Sequence, residues 1–145
     1  MLLHPRYFLL LVTLVFSVDA QDNYVYPKGV DYLSADQITT QIIGNTYVAG
    51  ILWVEYYVPS NSNNRDSNSI SGKIRGKRFG ISYSGTWTIK GPLMCWDYEE
   101  AGSNYNGCYF TALNDNEVLW YKVDGKKYSS LAGKVILEKG NPEKL

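Results

Sequence analysis

The residues through which this chain could do chemistry are few, and most are carboxylates. Glu55, Asp97, Glu99 and Glu117 are the acidic side chains that fall in or beside strand-like segments. Two carboxylates flanking a sugar can hydrolyse a glycosidic bond, one as the acid and the other as base or nucleophile. Glu55 stands out because Trp53 and Tyr57 bracket it in an aromatic run. Strict alternation, however, reads it as a solvent-facing residue on an outer strand face. Glu99 and Glu100 read as a solvated hairpin tip. A carboxylate-dependent hydrolase acting on glycans is therefore an alternative to a non-catalytic chain, and no residue is assigned as catalytic.

Most other chemistry is closed for want of side chains. The only histidine, His4, lies in a leader that reads as removable, and an exported chain's two cysteines are expected to be oxidised. Without an imidazole or a free thiol, Ser-His-Asp and Cys-His mechanisms lack their base or nucleophile. Zinc, copper and non-haem iron sites lack ligands for the same reason, so no metal and no cofactor is expected. No glycine-rich loop has phosphate-binding spacing. The 14 basic and 14 acidic residues cancel, and the leader carries one of each sign, Arg6 and Asp19. A neutral chain has no general field to attract nucleic acid.

What remains is binding. The chain has 13 tyrosines and 4 tryptophans, more than a small core needs. Some must fill a barrel interior, and the rest serve either as further structural packing or as a ligand surface, since Tyr and Trp join apolar area to a polar end. Trp53, Glu55, Tyr57, Trp96, Tyr98 and Trp120 form the candidate ligand surface, for a small apolar molecule, a glycan or a protein. Lys73, Arg75 and Lys77 alternate along one strand face with Arg78 beside them. That patch suits an anionic polymer, a phosphate or a lipid headgroup, or serves only as a charged face that resists edge-to-edge pairing.

The elements that must position these residues are short. Residues 1–20 have a basic residue, an apolar run and a small-residue end, which is the pattern of a signal peptide cut after Ala20. The apolar run is too short to span a bilayer, and no membrane span follows it. The mature chain is expected in the periplasm or secreted. Residues 21–32 read as an extended lead-in, 33–140 as one helix-plus-barrel domain, and 141–145 as a frayed tail. Ser34 is a good N-cap, Gln37 its capping-box partner, Leu33 can staple against Ile38, and Gly44 supplies the stop.

From Asn45 on, apolar residues recur with period two. Trp53, Glu55 and Tyr57 share one face of a strand; Leu52, Val54, Tyr56 and Val58 share the other. Residues 59–69 form a polar loop expected to be exposed and mobile. Further strands are expected at 70–75, 80–89, 93–98, 107–113, 117–123 and 133–138, with Gly76-Lys77-Arg78 as a turn and Asp124-Gly125 as a hairpin dipeptide. The fold class is mainly β: a small antiparallel up-and-down barrel of about eight strands, lipocalin-like in shape, preceded by one short helix. Cys95 and Cys108 face each other across a hairpin as one structural disulfide, which sets Asp97 opposite Asn106 and leaves the Trp87 indole to pack on the bridge.

Leu33-Ser34 with Ile38, then Gly44-Asn45-Thr46, Gly85-Thr86-Trp87, Cys95-Trp96 and Cys108 follow an order that resembles small exported bacterial domains of unknown function, of a type common in alphaproteobacteria. The resemblance spans residues 33–125 and implies a periplasmic or secreted β domain with a structural disulfide. It implies no activity and no site. True lipocalins carry a Gly-x-Trp motif in the first barrel strand, whereas Gly85-Thr86-Trp87 lies mid-chain. The likeness to them is one of shape only. The resulting expectation is an exported, non-catalytic binding or interaction domain, with a purely structural envelope protein as a further alternative.

Overall fold

A computed structural model describes residues 24–60, 69–99, 105–129 and 133–145. The leader, the centre of the polar loop, Glu100 and the rest of the hairpin tip at 101–104 lie outside the described residues. One helix, α1 (Ala35–Gln41), precedes nine strands: β1 (Thr46–Ala49), β2 (Trp53–Tyr57), β3 (Ser69–Arg78), β4 (Ile81–Lys90), β5 (Leu93–Tyr98), β6 (Gly107–Asn114), β7 (Glu117–Lys122), β8 (Lys127–Tyr128) and β9 (Ile136–Glu138). Each pairs antiparallel with its neighbour from β1 to β7, and β9 then joins β7 back to β1. The result is a closed eight-strand barrel, with β8 as a short return on β7.

The helix forms where its local chemistry directs it. Ser34 accepts the Gln37 backbone N–H, and the Gln37 side chain accepts the Ser34 N–H, so the capping box is complete. At seven residues α1 is too short to stand alone. Its Ile38, with Ile42 just after it, is fully buried in the barrel core, and the chain enters β1 directly behind it. The helix therefore closes the end of the barrel where β1 begins. The opposite end carries the turns at 50–52, 79–80 and 123–126; α1 does not cover it, and only in that sense is it the open end.

Cross-strand register fixes which side chains point inward, because directly paired residues share a face. Tyr47, Glu55, Gly76 and Tyr83 form one paired row; Tyr57, Ile74, Gly85 and Tyr98 form the next. Trp87 pairs with Trp96 and with Gly72. Glycines make room for this aromatic interior. A Cβ at Gly72 would fall 2.5 Å from the Trp87 ring, and one at Gly76 would fall 2.2 Å from the Tyr83 ring. Gly76 is thus no turn: β3 runs unbroken to Arg78, and the turn is Phe79-Gly80.

The disulfide joins Cys95 to Cys108 as directly paired residues, with Cα atoms 3.9 Å apart. Asn106 donates to Asp97 as the hairpin register requires. Trp87 does not pack on the bridge. Cys95 neighbours Trp96 along β5 and so faces the other way, into an outer cluster with Leu93, Phe110, Tyr24 and Tyr32. Tyr24, Tyr26 and Tyr32 of the lead-in gather around Phe110, with ring centroids 5.3–6.2 Å apart. The lead-in is tied down by this outer cluster and by the Tyr32–Ala112 bridge.

Candidate functional site

The largest departure from expectation is Glu55. Alternation along β2 is correct, but its sense is reversed: Trp53, Glu55 and Tyr57 face the interior, and Glu55 is fully buried. The reason lies in its partners. Its flanking neighbours on either strand are Tyr47 and Gly76, and Gly76 in turn admits the Tyr83 ring. A strand with apolar residues on both faces does not declare which face is inside.

A buried carboxylate must be satisfied, and this one is, by phenols. Tyr57 Oη donates to Glu55 Oε2 at 2.7 Å, and Tyr83 Oη donates to Oε1 at 2.9 Å. Tyr98 lies beside the carboxylate, close enough for the Glu55 charge to push its phenol upward. Among the described residues no lysine or arginine lies within ion-pairing distance of Glu55; the three ion pairs use Glu99, Asp124 and Glu117. Burial pushes the Glu55 carboxyl up from 4.5 to about 7, and the phenol hydrogen bonds hold it from rising further. Burial and the Glu55 charge push Tyr47, Tyr57, Tyr83 and Tyr98 upward, so these phenols stay protonated.

Around this carboxylate the aromatic side chains pack mostly edge to face. Tyr47 meets Tyr57 at 4.6 Å and Trp120 at 5.6 Å, Trp96 meets Trp120 at 5.5 Å, and Tyr83 meets Tyr98 at 5.8 Å. Such pairs contribute about 1 kcal/mol each beyond area burial. Among the described residues, four buried polar atoms here have no hydrogen-bond partner: Tyr47 Oη, Trp96 Nε1, Trp120 Nε1 and Thr111 Oγ1. Trp120 acts on the Tyr47 hydroxyl, but at a geometry short of a hydrogen bond. Thr111 sits directly across from Trp120 on the paired strand. Leaving a buried polar group unsatisfied costs about 1–3 kcal/mol, so a cluster of them calls for a reason.

The rim of the open end is apolar. Ile51 is 96% exposed, Ile81 71% and Phe79 67%, and Leu52 is exposed beside them. The Phe79 N–H donates to Leu52 O, which ties the two turns together. Phe79 holds a left-handed backbone, φ 49°, at a turn position that Asn or Gly would fill at lower cost. Arg78 lies over the Tyr105 ring and donates to its hydroxyl at 3.0 Å.

All six residues of the candidate ligand surface come together, but as the lining of an interior and not as a surface. Trp53 and Tyr98 are half-buried toward the open end; Glu55, Tyr57, Trp96 and Trp120 are buried. Tyr47 and Tyr83 belong with them and escaped notice, since only the cross-strand register shows that they flank Glu55. The cationic residues divide. Lys73, Arg75 and Lys77 lie on the outer face of β3, where Lys73 stands 3.9 Å from Glu99, while Arg78 takes the inward register at the rim. The other carboxylates do not join Glu55. Asp97 and Glu99 are exposed, and Glu117 is 3.5 Å from Lys134. Among the described residues no group of His, Cys, Asp or Glu could hold a metal ion, and no helix is long and apolar enough to cross a membrane.

The chain matches no protein-family model, no curated protein and no solved structure. The site is therefore read from its own chemistry.

Proposed function

We infer that this chain is an exported, periplasmic or secreted, non-catalytic binding domain that takes a small molecule into the open half of its barrel. The observation that carries this reading is the set of buried, unpartnered hydrogen-bonding atoms on Tyr47, Trp96, Trp120 and Thr111 beside the Glu55 carboxylate. A barrel built for stability alone fills its interior with apolar side chains, whereas this one sets unpartnered polar atoms among them. The apolar rim at Ile51, Leu52, Phe79 and Ile81 suits the entrance of a partly apolar ligand. A hydrolase of the two-carboxylate kind finds less support, because Asp97 and Glu99 are exposed and Glu117 pairs with Lys134, away from the buried Glu55.

Native mass spectrometry of the protein exported by its own leader, disulfide intact, tests this. A co-purifying small molecule on a chain that begins at Gln21 is the expected result. A clean ligand-free mass would count against interior binding, and an uncut leader against export.

A further inference from the structure

We propose that the open half of the barrel binds a small organic cation, a protonated amine or its N-methylated form, with Glu55 as its counter-charge among the rings of Tyr47, Tyr57, Tyr83, Tyr98 and Trp53. This rests on the reading of the barrel as a binding domain and names the chemistry of its ligand.

Hydrogen-bond capacity is the first argument. An ionised carboxylate accepts about four hydrogen bonds. Tyr57 and Tyr83 supply two, which leaves acceptor capacity open on Glu55. The Tyr47 oxygen next to it is buried and unpartnered, and it lies close enough to feel the Glu55 charge. An ammonium group, with its several donors, fits an open carboxylate site and an open phenol oxygen at once.

Charge is the second. A buried carboxylate without a cation is held at a cost that a cationic ligand would recover. An anion would meet Glu55 repulsively. A wholly apolar ligand would cover the indole N–H groups of Trp96 and Trp120 and leave them unpaired. The ring faces are the third argument: electron-rich Tyr and Trp faces attract ammonium groups, most strongly where water is excluded. The free indole N–H groups then call for an acceptor, such as a hydroxyl or carbonyl, on the ligand's far end.

Entry has a hinge in Tyr83. The phenol end of its ring lies against Gly76, where any Cβ would displace it, and it is half-buried. Swinging it toward the rim frees Glu55 Oε1 for the ligand.

The proposal also sets a pH dependence. The groups facing Glu55 are Tyr47 on β1, Tyr57 on β2, Tyr83 on β4 and Tyr98 on β5; β3 contributes Gly76, with Arg78 beyond it at the rim. The four phenols remain protonated, so Glu55 is the group that titrates near neutrality. Binding of a cation needs the ionised form, so affinity must fall about tenfold for each pH unit below about 7.

The test compares tyramine with tyrosol, which has a hydroxyl in place of the ammonium, by calorimetry and tryptophan fluorescence on the disulfide-intact chain. Tyramine is expected to bind about tenfold or more tightly than tyrosol at about pH 8, with that preference gone in Glu55→Gln. Equal or tighter binding of tyrosol, or a tyramine preference that survives Glu55→Gln, overturns the cation assignment and leaves the binding-domain reading standing. If neither compound binds and the Trp96 and Trp120 indole protons contact only an ordered water by NMR, both readings fall. The tyramine–tyrosol comparison in the unsubstituted chain does not depend on how any variant folds.

Discussion

Trp87 and Trp96 are direct cross-strand partners inside the same barrel, yet their surroundings differ in kind. The Trp87 indole N–H donates to Val58 O at 3.0 Å, and Ile74, Ile89 and Met94 of β3, β4 and β5 share its core cluster. Trp96 stacks on Tyr109, meets Trp120, and has no partner for its N–H. The closed half of the barrel is thus an apolar core with its few polar atoms satisfied. The open half holds a carboxylate, hydrogen-bonded phenols and unpaired indoles. One half stabilises the fold; the other carries a polarity that folding alone does not require.

If that division is real, substitutions in the two halves must behave differently. The largest effect is expected at Trp87: replacing it with Ala removes a fully buried indole from the closed half and should cost about 3–5 kcal/mol in denaturant unfolding. Next comes the pH dependence of stability. Between 4.5 and about 7 the folded Glu55 keeps a proton that the unfolded chain has released. Its contribution therefore favours the fold most below that window and declines as pH rises through it, by about 3 kcal/mol in all. Glu55→Gln should remove that decline, measured as the difference between the two proteins' unfolding free energies at each pH.

The glycines sharpen the comparison further. Gly72→Ala drives a Cβ into the buried Trp87 and should cost about 1–3 kcal/mol. Gly76→Ala meets Tyr83, which can swing toward the open end, so a smaller loss is expected, together with a rise in the Glu55 pKa as one phenol donor leaves. Equal losses at the two glycines would erase the distinction between the halves. The smallest effect is a gain: Phe79→Asn should stabilise the fold by about 1 kcal/mol by suiting its left-handed backbone, while removing apolar area from the rim.

Sequence patterning reached the frame of this molecule and stopped short of its centre. The capping box, the strand succession, the disulfide and the Asp97–Asn106 pairing were all legible, because the cap lies within one helical turn and a single hairpin register sets both cross-strand pairs. The period of β2 was legible too, but not its sense, since Val54 and Tyr56 make the outer face nearly as apolar as the inner one. Gly76 looked like a turn because glycine serves turns and close packing alike, and only the facing Tyr83 distinguishes the two. The Trp87–Cys95 contact failed on parity. Cys95 is adjacent to the inward Trp96 and must face outward, a signal already present in the alternation. Glu55 takes its phenol hydrogen bonds from β2 and β4, and no local pattern encodes that convergence.

The most direct test of the account is a carbon-detected NMR titration of the Glu55 side-chain carboxyl, assigned by its loss in Glu55→Gln. The account predicts a midpoint of about 7 in the free protein, and a fall of about one unit or more when a bound ammonium compound favours the ionised form. A midpoint near the ordinary 4.5, unmoved by any cation, would show an exposed and unengaged carboxylate and contradict it.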